Sequence, residues 1–367
     1  MAVLDPPEAG PPEAGPPGTR PRETSAAAVA LLLSRRRRAQ ARRAAVPAVL
    51  LSVLLVGLVA ASLLLELRRV PLADVAPAAL GLRDGLADYV IFRIRMPRVL
   101  AAGLAGALFG ISGALYQGLI RNPLATPDIV GVSAGAGAGA ITVLVLAPTL
   151  PYGTTLAALA GSFLAVGLIH ALSWRGGVDT YRLVLVGIGL SAVCTAYTNY
   201  LFTIADEHSM DVAMRWLIGS TAGATWQGVR VLAVALAVCL VVARLLTRPL
   251  AGIALGDELA TGLGTHVPRA RMLTLLLGAA AAALATSVVG PIGFVALISG
   301  PIAARLAGGD RACALAPLVG AVIVVGADVL AQRAPLVSPV PTGVFTALLG
   351  APYFVHLILR RPNGAPA

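Results

Sequence analysis

The side chains able to do chemistry in this chain are few and scattered. Four histidines (His170, His208, His266, His356) and three cysteines (Cys194, Cys239, Cys313) stand at no spacing that would chelate a metal or pair a nucleophile with a base. The cysteines lie in or beside apolar runs and read as small buried side chains. Lysine is missing, so all 28 basic residues are arginine. A phosphate-binding loop of the form G-x-x-x-x-G-K-[ST] therefore cannot be built. The polar groups concentrate instead around one helix-breaking stretch, Arg121 to Ala140, which reads RNPLATPDIVGVSAGAGAGA. Pro123 and Pro127 interrupt helix continuation there. Gln117, just before it, and Asn122, Thr126, Asp128 and Ser133 supply donors and acceptors but no acid–base pair. Such a set can line a path for a solute.

The setting is a membrane. Of 367 residues, 57% are hydrophobic and 12% charged, and the mean hydropathy is +0.85. A soluble domain carries about twice that charge, so the chain is an all-α integral membrane protein rather than a nucleic-acid binder, despite a net charge of +11. Apolar runs at 45–66, 98–119, 129–148, 153–173, 182–204, 230–247, 270–289, 291–306, 313–332 and 343–359 predict about ten transmembrane helices. They define a membrane domain over 45–361, preceded by a disordered, basic segment over 1–44 and followed by a tail over 362–367. The proline- and glycine-rich repeat at 6–21 cannot build a core. The run Ala26 to Leu33 is too short to span and suits an interfacial helix.

An even number of spans returns both termini to one side. Arginines at 35–38, 42 and 43 precede the first span, and Arg360 and Arg361 follow the last, so both ends are placed in the cytoplasm. Arg121, Arg244, Arg248, Arg269, Arg271 and Arg305 then fall inside, as the positive-inside rule asks. Arg93, Arg95, Arg98, Arg215, Arg230 and Arg333 fall outside, against it, which gives those arginines a reason to be there other than topology. Within the membrane, unpaired backbone is tolerated only against protein or a water-filled cavity. The broken segment therefore faces a cavity or a neighbouring helix, and the glycines of GVSAGAGAGA, like Gly103, Gly106, Gly110 and Gly113 before it, allow backbones to approach closely.

These residues carry a family resemblance. The stretch RMPRVLAAGLAGALFGISGALYQGLIRNPLATPDIVGVSAGAGAGA, followed in order by LGDELATGLG, VVGPIGFVALIS, GADVLAQR and PTGVFTALLGAPYF, resembles the FecCD family over roughly residues 85–361. These are the permease subunits of type II ABC importers for ferric siderophores, haem and cobalamin. The resemblance implies ten helices per subunit, a pathway between two permeases, two ATPase subunits at the cytoplasmic face and a substrate-binding protein outside. It implies no cofactor of the chain's own, the ATP being used by the partner ATPases. The translocation pathway is assigned to Gln117, Asn122, Pro123, Thr126, Asp128 and Ser133. The loop Leu255 to Arg269 corresponds to two short coupling helices seated on the ATPase, with Asp257, Glu258, Leu259, Gly262, Leu263 and Gly264 as the contact. Arg95, Arg98 and Arg333 are the expected docking sites for the binding protein.

The chain departs from the family at three places. Gln332 stands where an arginine is usual, Pro339 replaces an acid, and Gly300 to Ala304 reads GPIAA where a polar residue normally follows the proline. The motif wording around TPDIVGVSAGA and RWLIGS favours a ferric siderophore, catecholate or mixed, over cobalamin or haem. The second permease is expected to be a homologous partner, with a homodimer as the alternative. A secondary transporter is the rival class. It usually needs ionisable groups within spans, and only Asp128 and Asp328 come near.

Overall fold

A computed structural model describes residues 26–64, 89–173, 180–307, 312–334 and 340–359. The repeat at 6–21, Pro339 and the tail at 362–367 lie outside the described residues. The chain divides into two units between Arg42 and Arg43, and the membrane domain is the second. Twelve α-helices are described, with no strand among the described residues. They are α1 (Ala26–Leu64), α2 (Met96–Ile120), α3 (Val132–Leu146), α4 (Gly153–Ser173), α5 (Thr180–Ile204), α6 (Glu207–Ile218), α7 (Trp226–Ala254), α8 (Asp257–Gly262), α9 (Val267–Val289), α10 (Val295–Ala307), α11 (Ala312–Arg333) and α12 (Thr342–Leu359). A π-helical turn over Tyr89–Arg95 leads into α2, and a 3-10 turn over Pro127–Val130 leads into α3.

Each of the ten expected spans has a helix. Seven are long and apolar enough to cross a membrane, and three shorter apolar helices account for the rest. The backbone over 26–44 is helical, continuing the helix expected at Ala26 to Leu33 through the basic stretch where disorder was expected. Alanine and arginine favour helix, and no proline interrupts the run before Pro47.

Helix α2 is the hub. Within its apolar 18-residue stretch 83% of the residues are buried, against 6% in that of α1. Glycine makes that burial possible. A Cβ on Gly106 would lie 2.4 Å from the Gly320 carbonyl oxygen, and one on Gly320 2.1 Å from that of Gly106, so α2 and α11 cross backbone to backbone. The same reciprocity joins α3 to α4 through Gly135 and Gly161, at 2.5 and 2.2 Å. The glycine-rich run of the opening segment is thus a packing surface against α4, as its composition suggested.

The three short helices shape the interior. Helices α3 and α10 have 15 and 13 residues, about 22 and 20 Å at 1.5 Å per residue, against a hydrocarbon core of about 30 Å. They cannot reach both faces, and the turns that lead into them, at 127–131 and 290–294, leave room beside α12.

Candidate translocation pathway

That room is a cleft of about 960 Å³. Asp128, Ser133, Ala134 and Ser191 form its polar end. Leu217, Ile218, Pro291, Ile292 and Phe294 line the rest, and α12 forms a wall from Gly343, against Ile218, past Gly350, against Phe294, to Pro352. The wall is about 14 Å long. Its surface is apolar apart from the Asp128, Ser133 and Ser191 end. Phe294 holds a left-handed φ of 67°, a costly conformation for a bulky residue, and its Cβ comes within 2.3 Å of where a Cβ on Gly350 would stand.

The polar end is built by chain breaks. Arg121 ends α2 in a left-handed conformation, φ 54°, and its guanidinium donates to the Ile253 carbonyl near the end of α7. Asn122 Oδ1 accepts from the Leu124 amide at 3.0 Å, an Asx turn that replaces helical bonding. Thr126 precedes the 3-10 turn with no side-chain capping bond, and Pro127 opens it. The Ser133 hydroxyl donates to Asp128 Oδ1, closing a loop around Gly131. Of the six expected pathway residues, Asp128 and Ser133 reach the cleft. Asn122 and Pro123 are exposed on the neighbouring turn, and Thr126 is half-buried.

Gln117 has a different place. Pro301 has no N–H, so the Leu297 carbonyl, four residues earlier in α10, loses its helical donor. Gln117 Nε2 supplies one at 2.9 Å. Gly300 makes room, since a Cβ there would lie 1.8 Å from Gln117 Oε1. The polar group missing from GPIAA is thus provided from α2, and Gln117 braces two helices instead of facing the cleft.

At the end of the bundle next to Arg121 stands α8. Leu255, Leu259 and Leu263 are 65%, 61% and 72% exposed and form an apolar ridge. Asp257 accepts from Arg271 at 3.0 Å, while Glu258 is exposed and in the first turn. The helix stops in a Schellman motif. The Thr265 amide bonds the Ala260 carbonyl at 2.9 Å, that of Gly264 bonds Thr261 at 2.9 Å, and Gly264 holds φ 82°. One short helix occupies this loop, packed through Ala260 against Ile253, Val267 and Ala270, and the next turn already belongs to α9.

At the opposite end lie α6 and a buried charge. Asp206 caps α6 by accepting from the Ser209 amide at 3.0 Å. Arg98 donates to Asp328 through Nη2 at 2.9 Å and Nε at 3.1 Å, and the Asp328 side chain is 0% exposed. Thr221 and Thr342 hydroxyls donate to Asp328 Oδ1 at 2.6 and 3.0 Å, and Gln332 Nε2 to Oδ2 at 2.6 Å. Arg98 is therefore turned into the protein. Arg95 bonds the Leu63 carbonyl at 3.3 Å and is half-buried, whereas Arg93 and Arg333 are exposed. The two threonines went unread in the sequence. The available signal was an aspartate inside the apolar run VIVVGADVLA, which needs buried donors from somewhere.

The model of the FecCD transport family matches residues 51–360. The chain belongs to the FecCD transport family. Among its relatives, the ferric enterobactin transport system permease FepG of Escherichia coli (strain K12) is 36% identical over 289 residues, 78% of this chain and 88% of that protein. The Fe(3+)-citrate import system permease YfmE of Bacillus subtilis (strain 168) is 38% identical over 283 residues, 76% and 84%. A solved structure of a metal-chelate type ABC transporter in an inward-facing conformation superposes with a TM-score of 0.75 at 28% identity, covering 86% of this chain and 99% of that one. As a FecCD member the chain is a multi-pass membrane permease of the ABC transporter class. Its cleft and its exposed α8 ridge are features of that permease.

Proposed function

We propose that this FecCD permease carries ferric siderophores, of catecholate or mixed type, through the cleft and into the cytoplasm. The observation that carries this reading is the cleft itself. It is walled by apolar groups, extends for about 14 Å along α12, and is polar only at the Asp128, Ser133 and Ser191 end. Iron chelates transported by FepG and YfmE support the cargo. A wall with so few polar groups offers little for cargo selection, so selection falls to a substrate-binding protein outside.

The α8 end faces the cytoplasm together with both termini, and α8 seats on an ATPase subunit through Leu255, Leu259, Leu263 and Glu258. ATP is bound and hydrolysed by that partner. The α6 end faces outward, where Arg95 and Arg333, with Arg93 beside them, meet acidic groups of the binding protein. Because Arg98 is engaged by Asp328, it positions the protein's interior and leaves docking to its neighbours. A second, homologous permease completes the pathway across the exposed apolar faces of the bundle.

The test is radioiron uptake by a strain lacking this gene, offered ferric siderophores, ferric citrate and haem separately, with and without the gene restored. Restoration of one siderophore class is the expected result. Loss of cobalamin uptake, with every iron source unaffected, would replace the cargo while keeping the family.

A further inference from the structure

We propose that Arg98 and Asp328, with Thr221, Thr342 and Gln332, form a latch that positions the α6-end gate of the cleft. The proposal rests on the permease reading for the direction of transport, and on geometry for the rest.

Asp328 is a fully buried carboxylate that takes donors from four separate places. They are Arg98 on α2, Thr221 in the loop after α6, Thr342 at the start of α12, and Gln332 one turn along α11. The two threonine hydroxyl oxygens stand 2.9 Å apart, and with both of their protons on the carboxylate they lie in contact without bonding each other. Gln332 extends the set to α1 through the Ser62 hydroxyl at 3.4 Å. An arginine at position 332 would set a second guanidinium on the carboxylate. The glutamine leaves Arg98 as the single cation there among the described residues.

The loops gripped by the threonines are the ones that end the cleft. The Ser220 amide bonds the Val289 carbonyl at 2.8 Å, and that of Gly343 bonds Gly219 at 3.0 Å. Their glycines interlock without clearance. A Cβ on Gly343 would lie 1.8 Å from the Ile218 oxygen, one on Gly219 2.4 Å from that of Pro291, and one on Gly290 2.5 Å from that of Trp216. Ile218, Pro291 and Gly343 all line the cleft. The carboxylate itself sits between α2 and α11, the most tightly crossed pair of the bundle. Burying a charge is costly unless it is fully paired, and an apolar core would bind static helices as well. What the charge adds is direction, because each bond fixes one loop to the rigid pair. These are positioning residues, since none of them touches the cleft except through the loops they hold.

The test uses the whole transporter, permease with ATPase and binding protein, in liposomes. Cys194, Cys239 and Cys313 are replaced by alanine and Val344→Cys is introduced. Val344 lies on the cleft wall and is 40% exposed. The readouts are the rate of alkylation by a membrane-impermeant maleimide from the α6 side, and iron moved per ATP hydrolysed. Thr221→Val and Thr342→Val are each expected to raise the labelling rate about tenfold, the scale of one hydrogen bond to a charged group. Iron per ATP should fall, assembly with the ATPase should be normal, and Thr→Ser at either position should restore both readouts. Asp328→Asn should do the same more strongly where it assembles. Unchanged labelling in both valine variants would overturn the latch. Failure of the unmodified complex to move iron would strike the permease reading, and the labelling rates would still judge the latch.

Discussion

Gln117 repairs a break that Pro301 makes in a neighbouring helix, and its cost can be stated. Gln117→Leu leaves the Leu297 carbonyl without a donor inside the bundle, a penalty of about 1–3 kcal/mol. The expected outcome is a lower thermal midpoint of the purified permease in detergent. A midpoint equal to that of the wild type would return Gln117 to the cleft. Gly113 makes the stronger case. A Cβ there would lie 1.8 Å from the Ala296 oxygen, so Gly113→Ala must push α2 away from α10, and the yield of folded protein should drop. The sequence showed that both residues were unusual within an apolar helix. It did not show which neighbour each one met, because Gln117 and Leu297 are 180 residues apart and nothing local to either marks the pairing. Asp128 and Ser133 were legible as cleft residues for the opposite reason: their breaks and their partner lie within one turn of chain.

At the scale of elements, α8 is the part proposed to seat on the ATPase. Its leucine ridge is exposed, its end is fixed by the Schellman bonds, and Arg121 links the turn beside the cleft to Ile253, three residues before Gly256. Glu258→Arg should leave the permease folded, yet ATP hydrolysis by the assembled complex should no longer drive uptake. Full coupling in that variant would remove α8 from the ATPase contact. Arg121→Ala should lower iron moved per ATP while leaving ATPase binding intact, since it cuts the connection and spares the ridge. Gly264→Val places a branched side chain at φ 82°, costing about 1–2 kcal/mol, and should fray the end of α8 in hydrogen exchange. Most of this element was readable, because acids at a helix start, leucines at i, i+4 and glycines at its end are local signals. Helix α6 was missed. Its cap, Asp206 to Ser209, is equally local, but a 12-residue amphipathic helix presents no apolar run.

For the whole molecule, hydropathy was enough to find ten apolar helices, since lipid demands length and apolarity of each one. It was not enough to find the cleft. That cavity exists because α3 and α10 are too short for the bilayer and the turns leading into them line it, and because α2 and α11 cross closely enough to carry a buried ion pair. Both facts depend on contacts between distant segments. The most direct measurement is iron–siderophore accumulation in liposomes holding the permease pair and its binding protein, with the ATPase subunits present or absent. The expected result is uptake only with the ATPase and ATP, and none from an imposed proton gradient. Accumulation driven by the proton gradient without any ATPase would contradict the assignment and make the chain a secondary transporter.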